Sequence, residues 1–170
     1  RSRLIIESLL LSVLSLGVAA CTGVGNATGD HSSSLKGSVS LMGKPVDGAA
    51  ITLGQASGGK EPKQRKTLSS GKDGAFSISI SPEEGAVHYL VAAGGRVNGE
   101  EAKRLSMLSV LDDKVAESLV VNELTTVGSI WPNAQLLEGD ALTGSASALA
   151  IGSGQVRNLV NPGNGSYGET

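Results

Sequence analysis

The stretch LKGSVSLMGKPVDGAAITLG (residues 35–54) alternates before it turns. Leu35, Gly37, Val39 and Leu41 take every second position around Lys36, Ser38 and Ser40, the period of a strand with one buried face. Gly43, Pro45 and the pair Asp47 and Gly48 are turn signals, and AAITLG (49–54) then predicts a second short strand. The same grammar continues downstream. A polar loop, QASGGKEPKQRK (55–66), separates that strand from TLSS (67–70). GKDG (71–74) predicts a tight turn in which Asp73 and Gly74 accept positive φ, and AFSISI (75–80) puts Phe76, Ile78 and Ile80 on one face. In VHYLVAA (87–93), Val87, Tyr89 and Val91 alternate with His88 and Leu90. Short strands at this spacing predict a mainly β chain folded as a small antiparallel sandwich.

The order of these signals resembles a known family. GSVSLMGKPVDGAAITL (37–53) followed by TLSSGKDGAFSISI (67–80) is similar to the transthyretin-like, carboxypeptidase-regulatory-like domain. That pattern is a glycine-bearing strand, a G-x-P-x-x-G-A turn, a strand, and a T-x-x-x-G-x-F lead into the next strand. Gly37, Gly43, Pro45, Gly48, Ala49, Thr67, Asp73, Gly74 and Phe76 carry the resemblance. It implies an Ig-like β-sandwich that serves extracellular proteins as a spacer, stabilising appendage or carbohydrate-facing module. It implies no peptidase, because the family's catalytic chemistry belongs to a neighbouring domain.

Composition narrows the function. The chain has 170 residues, 24 of them glycine, with one cysteine and 2% aromatics, which suits one small domain with appended segments and an aliphatic core. The formal net charge is −2, so no domain-wide basic field exists to hold nucleic acid. The chain opens at Arg1 without a methionine and stops in the glycine-rich NPGNGSYGET, which reads as part of a longer product.

The amino-terminal segment explains the cysteine. Arg1 and Arg3 precede SLLLSVLSLGVAA (8–20), an uncharged run too short to span a bilayer and patterned as a secretory signal. Val18, Ala19 and Ala20 shrink toward Cys21. VAAC resembles a bacterial lipobox, and the resemblance implies cleavage between Ala20 and Cys21, a covalent lipid on the Cys21 sulfur, and acylation of the new amino terminus. Acyl chains then hold the protein on a membrane at about 0.8 kcal/mol per buried CH₂. Thr22 after the cysteine resembles the outer-membrane class, which makes the expected location the cell envelope, on the outer membrane. TGVGNATGDHSSS (22–34) has nothing periodic to bury and reads as a tether. A single, lipidated cysteine leaves no intramolecular disulfide.

Beyond the sandwich, RLSMLSVLD (104–112) and ESLVVN (117–122) predict two more strands around an Asp112, Asp113 turn. Asn122 caps a predicted helix over 123–137, with Glu123 at its positive end and a break at Pro132. A second helix is predicted over 145–160, with Ala146, Leu149, Val156, Leu159 and Val160 near one face and Gly152 and Gly154 weakening it. VVNELTTVGSIWPNAQLL resembles a segment that follows transthyretin-like domains in large bacterial secreted proteins, where an NHL-type β-propeller can come next. The expected organisation is a signal at 1–20, a tether at 21–34, the sandwich at 35–95, and a strand and helix segment at 96–170.

Chemistry is sparse. GNGSYG (163–168) has the letters of a dinucleotide loop but follows a predicted helix instead of opening one. His31 falls in the tether and His88 reads as a surface strand residue, with no partner at metal-ligand spacing. Asp112 and Asp113 are too few oxygens for calcium. Lys60, Lys63, Arg65 and Lys66 read as a solvated loop, Trp131 as a packing residue among Val127, Ile130 and Leu136, and Tyr89 and Phe76 as core. No catalytic residue, metal or other cofactor is expected. The sequence reads as a non-catalytic, membrane-anchored lipoprotein, an anchor, spacer or binding module facing an envelope protein or polysaccharide. The alternative is the leading part of a larger secreted propeller protein or enzyme whose active part lies beyond Thr170.

Overall fold

A computed structural model describes residues 33–81, 83–111 and 118–168. The segment expected to be a signal and most of the expected tether (1–32), including Ala20, Cys21 and His31, lie outside the described residues, as do Asp112 and Asp113.

The mainly β sandwich with carboxyl-terminal helices is observed. In chain order the strands are β1 (Ser33–Leu41), β2 (Lys44–Asp47), β3 (Ala50–Ser57), β4 (Lys63–Ser69), β5 (Ala75–Ile80), β6 (Ala86–Ala93), β7 (Arg96–Val97), β8 (Glu100–Glu101), β9 (Ser106–Leu111) and β10 (Ser118–Val121). Helix α1 (Glu123–Asn133), the hairpin β11 (Leu137–Glu138) and β12 (Ala141–Leu142), and helix α2 (Ala146–Leu159) complete the described chain. Sheet I has β1 between β5 and β10, and the end of β1 continues through β2 into β7 and β8. Sheet II is antiparallel, in the order β4-β3-β6-β9.

The turns form where positive φ is available. Met42 and Gly43 (φ +51° and +71°) close the β1–β2 hairpin, and Gly74 (φ +76°) turns the chain into β5 while Asp73 Oδ1 accepts the Ala75 amide at 3.0 Å. Asp73 itself stays at negative φ, so Gly74 alone supplies the left-handed residue of that turn. Gly37 is required for another reason: a Cβ there would sit 2.1 Å from the Phe76 ring, which lies across β1.

The sandwich does not stop at residue 95. β9 pairs with β6 and β10 pairs, in parallel, with β1, so both sheets need strands from beyond the expected boundary. The main core lies between the sheets and contains Leu35, Val39, Ile51, Leu53, Phe76, Ile78, Ile80, Leu90, Ala92, Met107, Leu119 and Val121. A second core, Ala56, Val87, Tyr89, Leu108, Val110, Leu142, Leu149, Val156 and Val160, lies between the other face of sheet II and the helices. Both faces of β6 are therefore buried. The loop expected over 55–66 is shorter than its polarity predicted, because β3 runs to Ser57 and β4 begins at Lys63. Lys63, Arg65 and Lys66 sit on the edge strand of sheet II, where charge discourages further pairing.

Asn122 caps α1 as expected: its Oδ1 accepts the Thr125 amide at 2.9 Å, and the Asn122 amide donates to Thr125 Oγ1 at 2.8 Å. The helix ends at Asn133, one residue after Pro132, and a 3₁₀ turn (Ala134–Leu136) replaces its expected last turn. The two helices run close through glycines. A Cβ on Gly128 would lie 2.4 Å from Val160 Cγ1, and one on Gly152 would lie 2.1 Å from Asn133 Oδ1, whereas Gly154 faces open space. Gly154→Ala therefore stabilises the protein by about 0.5–1 kcal/mol through helix propensity. Gly152→Ala reverses the sign by about 1–3 kcal/mol through overpacking. Urea unfolding midpoints of the two variants check this opposition.

Candidate functional site

Two features among the described residues stand apart from the two apolar cores: a polar cluster around Gln55, Arg65, Glu83 and His88, and the outer face of the helices.

The cluster begins with a bulge. Leu53 pairs with Lys66 but Gly54 pairs with Gln64, so Arg65 is the extra residue on β4. A bulge re-aims the side chain it carries. Arg65 Nη2 donates to Glu83 Oε2 at 2.8 Å, and Arg65 Nε donates to Gln55 Oε1. Gln55, 2% exposed, completes the ring by donating from Nε2 to Glu83 Oε2 at 2.6 Å. His88 stands opposite Gln55 in the β3–β6 register. Arg65, Glu83 and His88 border a cleft of about 430 Å³ that Leu53, Lys66, Ser79 and Ser81 also line.

His88 is 8% exposed, a correction to its expected surface position. Its place on β6 matches Leu90 and Ala92, whose side chains face the main core, and the alternation showed only that one face was apolar. Burial holds its pKa below the usual histidine value, Arg65 adds to the effect, and Glu83 partly opposes it. The Gln55 hydrogen bond holds the Glu83 carboxyl below the usual range against an opposing burial effect, with Arg65, Lys63 and Lys60 helping. The arrangement is an ion pair braced by a buried amide beside a neutral imidazole. No hydrogen bond joins His88 to Ser79 or Ser81.

The remaining expectations fall as follows. Phe76 and Tyr89 are buried, and burial pushes the Tyr89 phenol up. Lys60 is exposed in the loop before β4. GNGSYG follows α2, and Gly165 (φ +70°) packs against Asn122 and Val120. Among the described residues no group of three or more His, Cys, Asp or Glu side chains is placed to hold a metal ion.

The helix face overturns a second expectation. Trp131 is 77% exposed and Val127 64%, and Ile130 is exposed beside them. The reason lies on the opposite side of α1. Thr126 Oγ1 accepts the Leu108 amide at 3.2 Å and Ser129 Oγ accepts the Val110 amide at 2.9 Å. Both amides belong to β9, the edge strand of sheet II. Thr125, Ser129 and Asn133 are buried, so α1 turns its polar stripe inward and its apolar stripe outward. The hydroxyl spacing in ELTTVGSIWPN, next to a predicted strand, was the available signal, but reading apolar as buried concealed it.

No family model matches the chain, and no curated protein matches it.

Two predictions follow from this geometry. Ser129→Ala leaves the Val110 amide unpaired and costs about 1–3 kcal/mol, whereas Trp131→Ala shifts stability by less than about 0.5 kcal/mol, both read by chemical denaturation. Because the His88 pKa is lowered in the folded state, the unfolded chain takes up the proton first. Stability from its neutral burial is complete above the unfolded value of about 6.5 and declines as pH falls below it. Unfolding midpoints measured from pH 7.5 to 5 should fall for the native protein, and by less for His88→Gln.

Proposed function

We propose that this protein is an exported lipoprotein, anchored to the cell envelope by acyl chains on Cys21, whose sandwich and helical layer form a non-catalytic presentation and binding module. The observation that carries the reading is the uncharged run ending in VAAC at the chain's one cysteine. Eleven residues, 22–32, separate that cysteine from the start of β1. The described residues also include no helix long and apolar enough to cross a membrane. A lipid anchor supplies residence without a span.

The sandwich itself we assign to the transthyretin-like, carboxypeptidase-regulatory-like class. Support comes from what its motif glycines do: Gly43, Gly48 and Gly74 each sit at positive φ, and Gly37 makes room for Phe76. These are the positions at which another residue is strained or collides. Outer-membrane residence and an envelope protein or polysaccharide as partner complete the proposal.

The test is Cys21→Ser. The native protein incorporates labelled fatty acid and matures to a form starting at residue 21, while the variant stays unlabelled and keeps its first twenty residues. Equal labelling of both proteins would sink the proposal.

A further inference from the structure

We infer that the outer face of the helical layer rests on the lipid surface to which Cys21 anchors the protein, an inference that depends on the anchoring proposed above. The face carries an exposed apolar stripe on α1 and little charge: on α2, Ser147, Gln155 and Asn158 are exposed with Ile151, and Arg157 is that helix's one charged residue. Residues 124–137 and 141–156 contain no Asp, Glu, Lys or Arg, whereas the outer face of a helix in water is normally charged. Val127 and Trp131 recur at helical spacing on the outside of α1, and Ile151 (67% exposed) and Leu159 (42%) are their counterparts on α2.

The two stripes adjoin. The position of a Cβ on Gly128, next to Val127, is 3.6 Å from Leu159 Cβ, and Tyr167, 76% exposed, is bridged to Val160 beside Leu159. Exposed patches of this kind mark protein or membrane contacts. The side-chain chemistry favours lipid. Exposed aliphatic Val127, Ile151 and Leu159 are accompanied in the helical layer by Trp131 and, after α2, by Tyr167, whose N–H and O–H groups can stay among headgroups while their rings enter the interface.

Reach favours it too. Eleven residues extend at most about 40 Å, more than the roughly 25 Å from sheet I, where β1 begins, across sheet II to the outer helix face. An anchor at Cys21 therefore lets the face meet the bilayer and keeps it at high local concentration there.

Trp131 is the chain's one tryptophan, so its fluorescence reports on the face directly. The full protein, purified from membranes, is reconstituted into phosphatidylcholine vesicles with or without bromine on the acyl chains. Bromolipid should remove most of the Trp131 emission, and aqueous iodide should remove little. Val127→Glu and Ile151→Glu, both at exposed positions, should reverse that pattern without loss of the acyl label. Emission quenched by iodide and untouched by bromolipid overturns the inference, because the face then stays in water. Emission shielded from both also overturns it, because a second copy or another polypeptide then covers the face. If acyl labelling shows that Cys21 carries no lipid, the anchoring proposal fails separately. The protein is then added to preformed vesicles, where bromolipid quenching still supports the lipid-facing surface and its absence at any lipid concentration overturns it.

Discussion

The free edge of β9 shapes the rest of this molecule. An edge strand presents backbone amides that must find partners or remain in water. Sheet II is covered by helices on the side away from sheet I, so the amides of Leu108 and Val110 lie where an unpaired donor is costly. Thr126 and Ser129 supply the acceptors. That requirement fixes the rotation of α1 about its axis and sends its apolar residues outward. A helix with buried leucines in the same place would pack well and leave two strand amides unpaired.

The second constraint is that sheet II carries two cores. Leu90 and Ala92 face the sandwich while Val87 and Tyr89 face α2 and the β11–β12 hairpin. Tyr89 fits because Gly54, its neighbour on β3, has no Cβ: one would lie 2.2 Å from the ring. The glycines of this protein thus do two different jobs. Some turn the chain at positive φ, and others (Gly37, Gly54, Gly128, Gly152) are cut-outs that let large groups or whole helices approach. The two buried aromatic rings, Phe76 and Tyr89, each rest on a glycine of the adjacent strand.

Much of the fold was legible for local reasons. Period-two alternation located β1, β5 and β6, glycine-bearing turns separated them, and Asn122 marked a helix start, because each signal depends on neighbours in sequence. What failed depended on distant pairing. Lys63 and Arg65 read as loop residues because nothing local shows that β3 will pair with them. His88 read as exposed because one-face burial is the default for an alternating strand, and only the second core makes both faces internal. Trp131 read as packed because hydrophobicity alone does not reveal which side of a helix has to satisfy a strand edge. The residues of the proposed lipobox lie outside the described residues, so the anchoring half of the proposed function rests on sequence pattern alone.

The two edges of sheet II are closed by opposite means, and this gives the molecule sides. The β4 edge carries Lys63, Arg65 and Lys66 and remains in water, protected from pairing by charge. The β9 edge is covered by a helix whose inward face is polar and whose outward face is apolar. Charge is further gathered in the β7–β8 hairpin, where Arg96, Glu100 and Glu101 lie with Lys103, while the helical layer has almost none. Orienting such a body against a low-dielectric surface costs less on the helical side than on the β4 side, since the latter would surrender more hydrated charges. The same hydrogen bonds that complete sheet II therefore also leave the apolar stripe of α1 on the outside of the molecule.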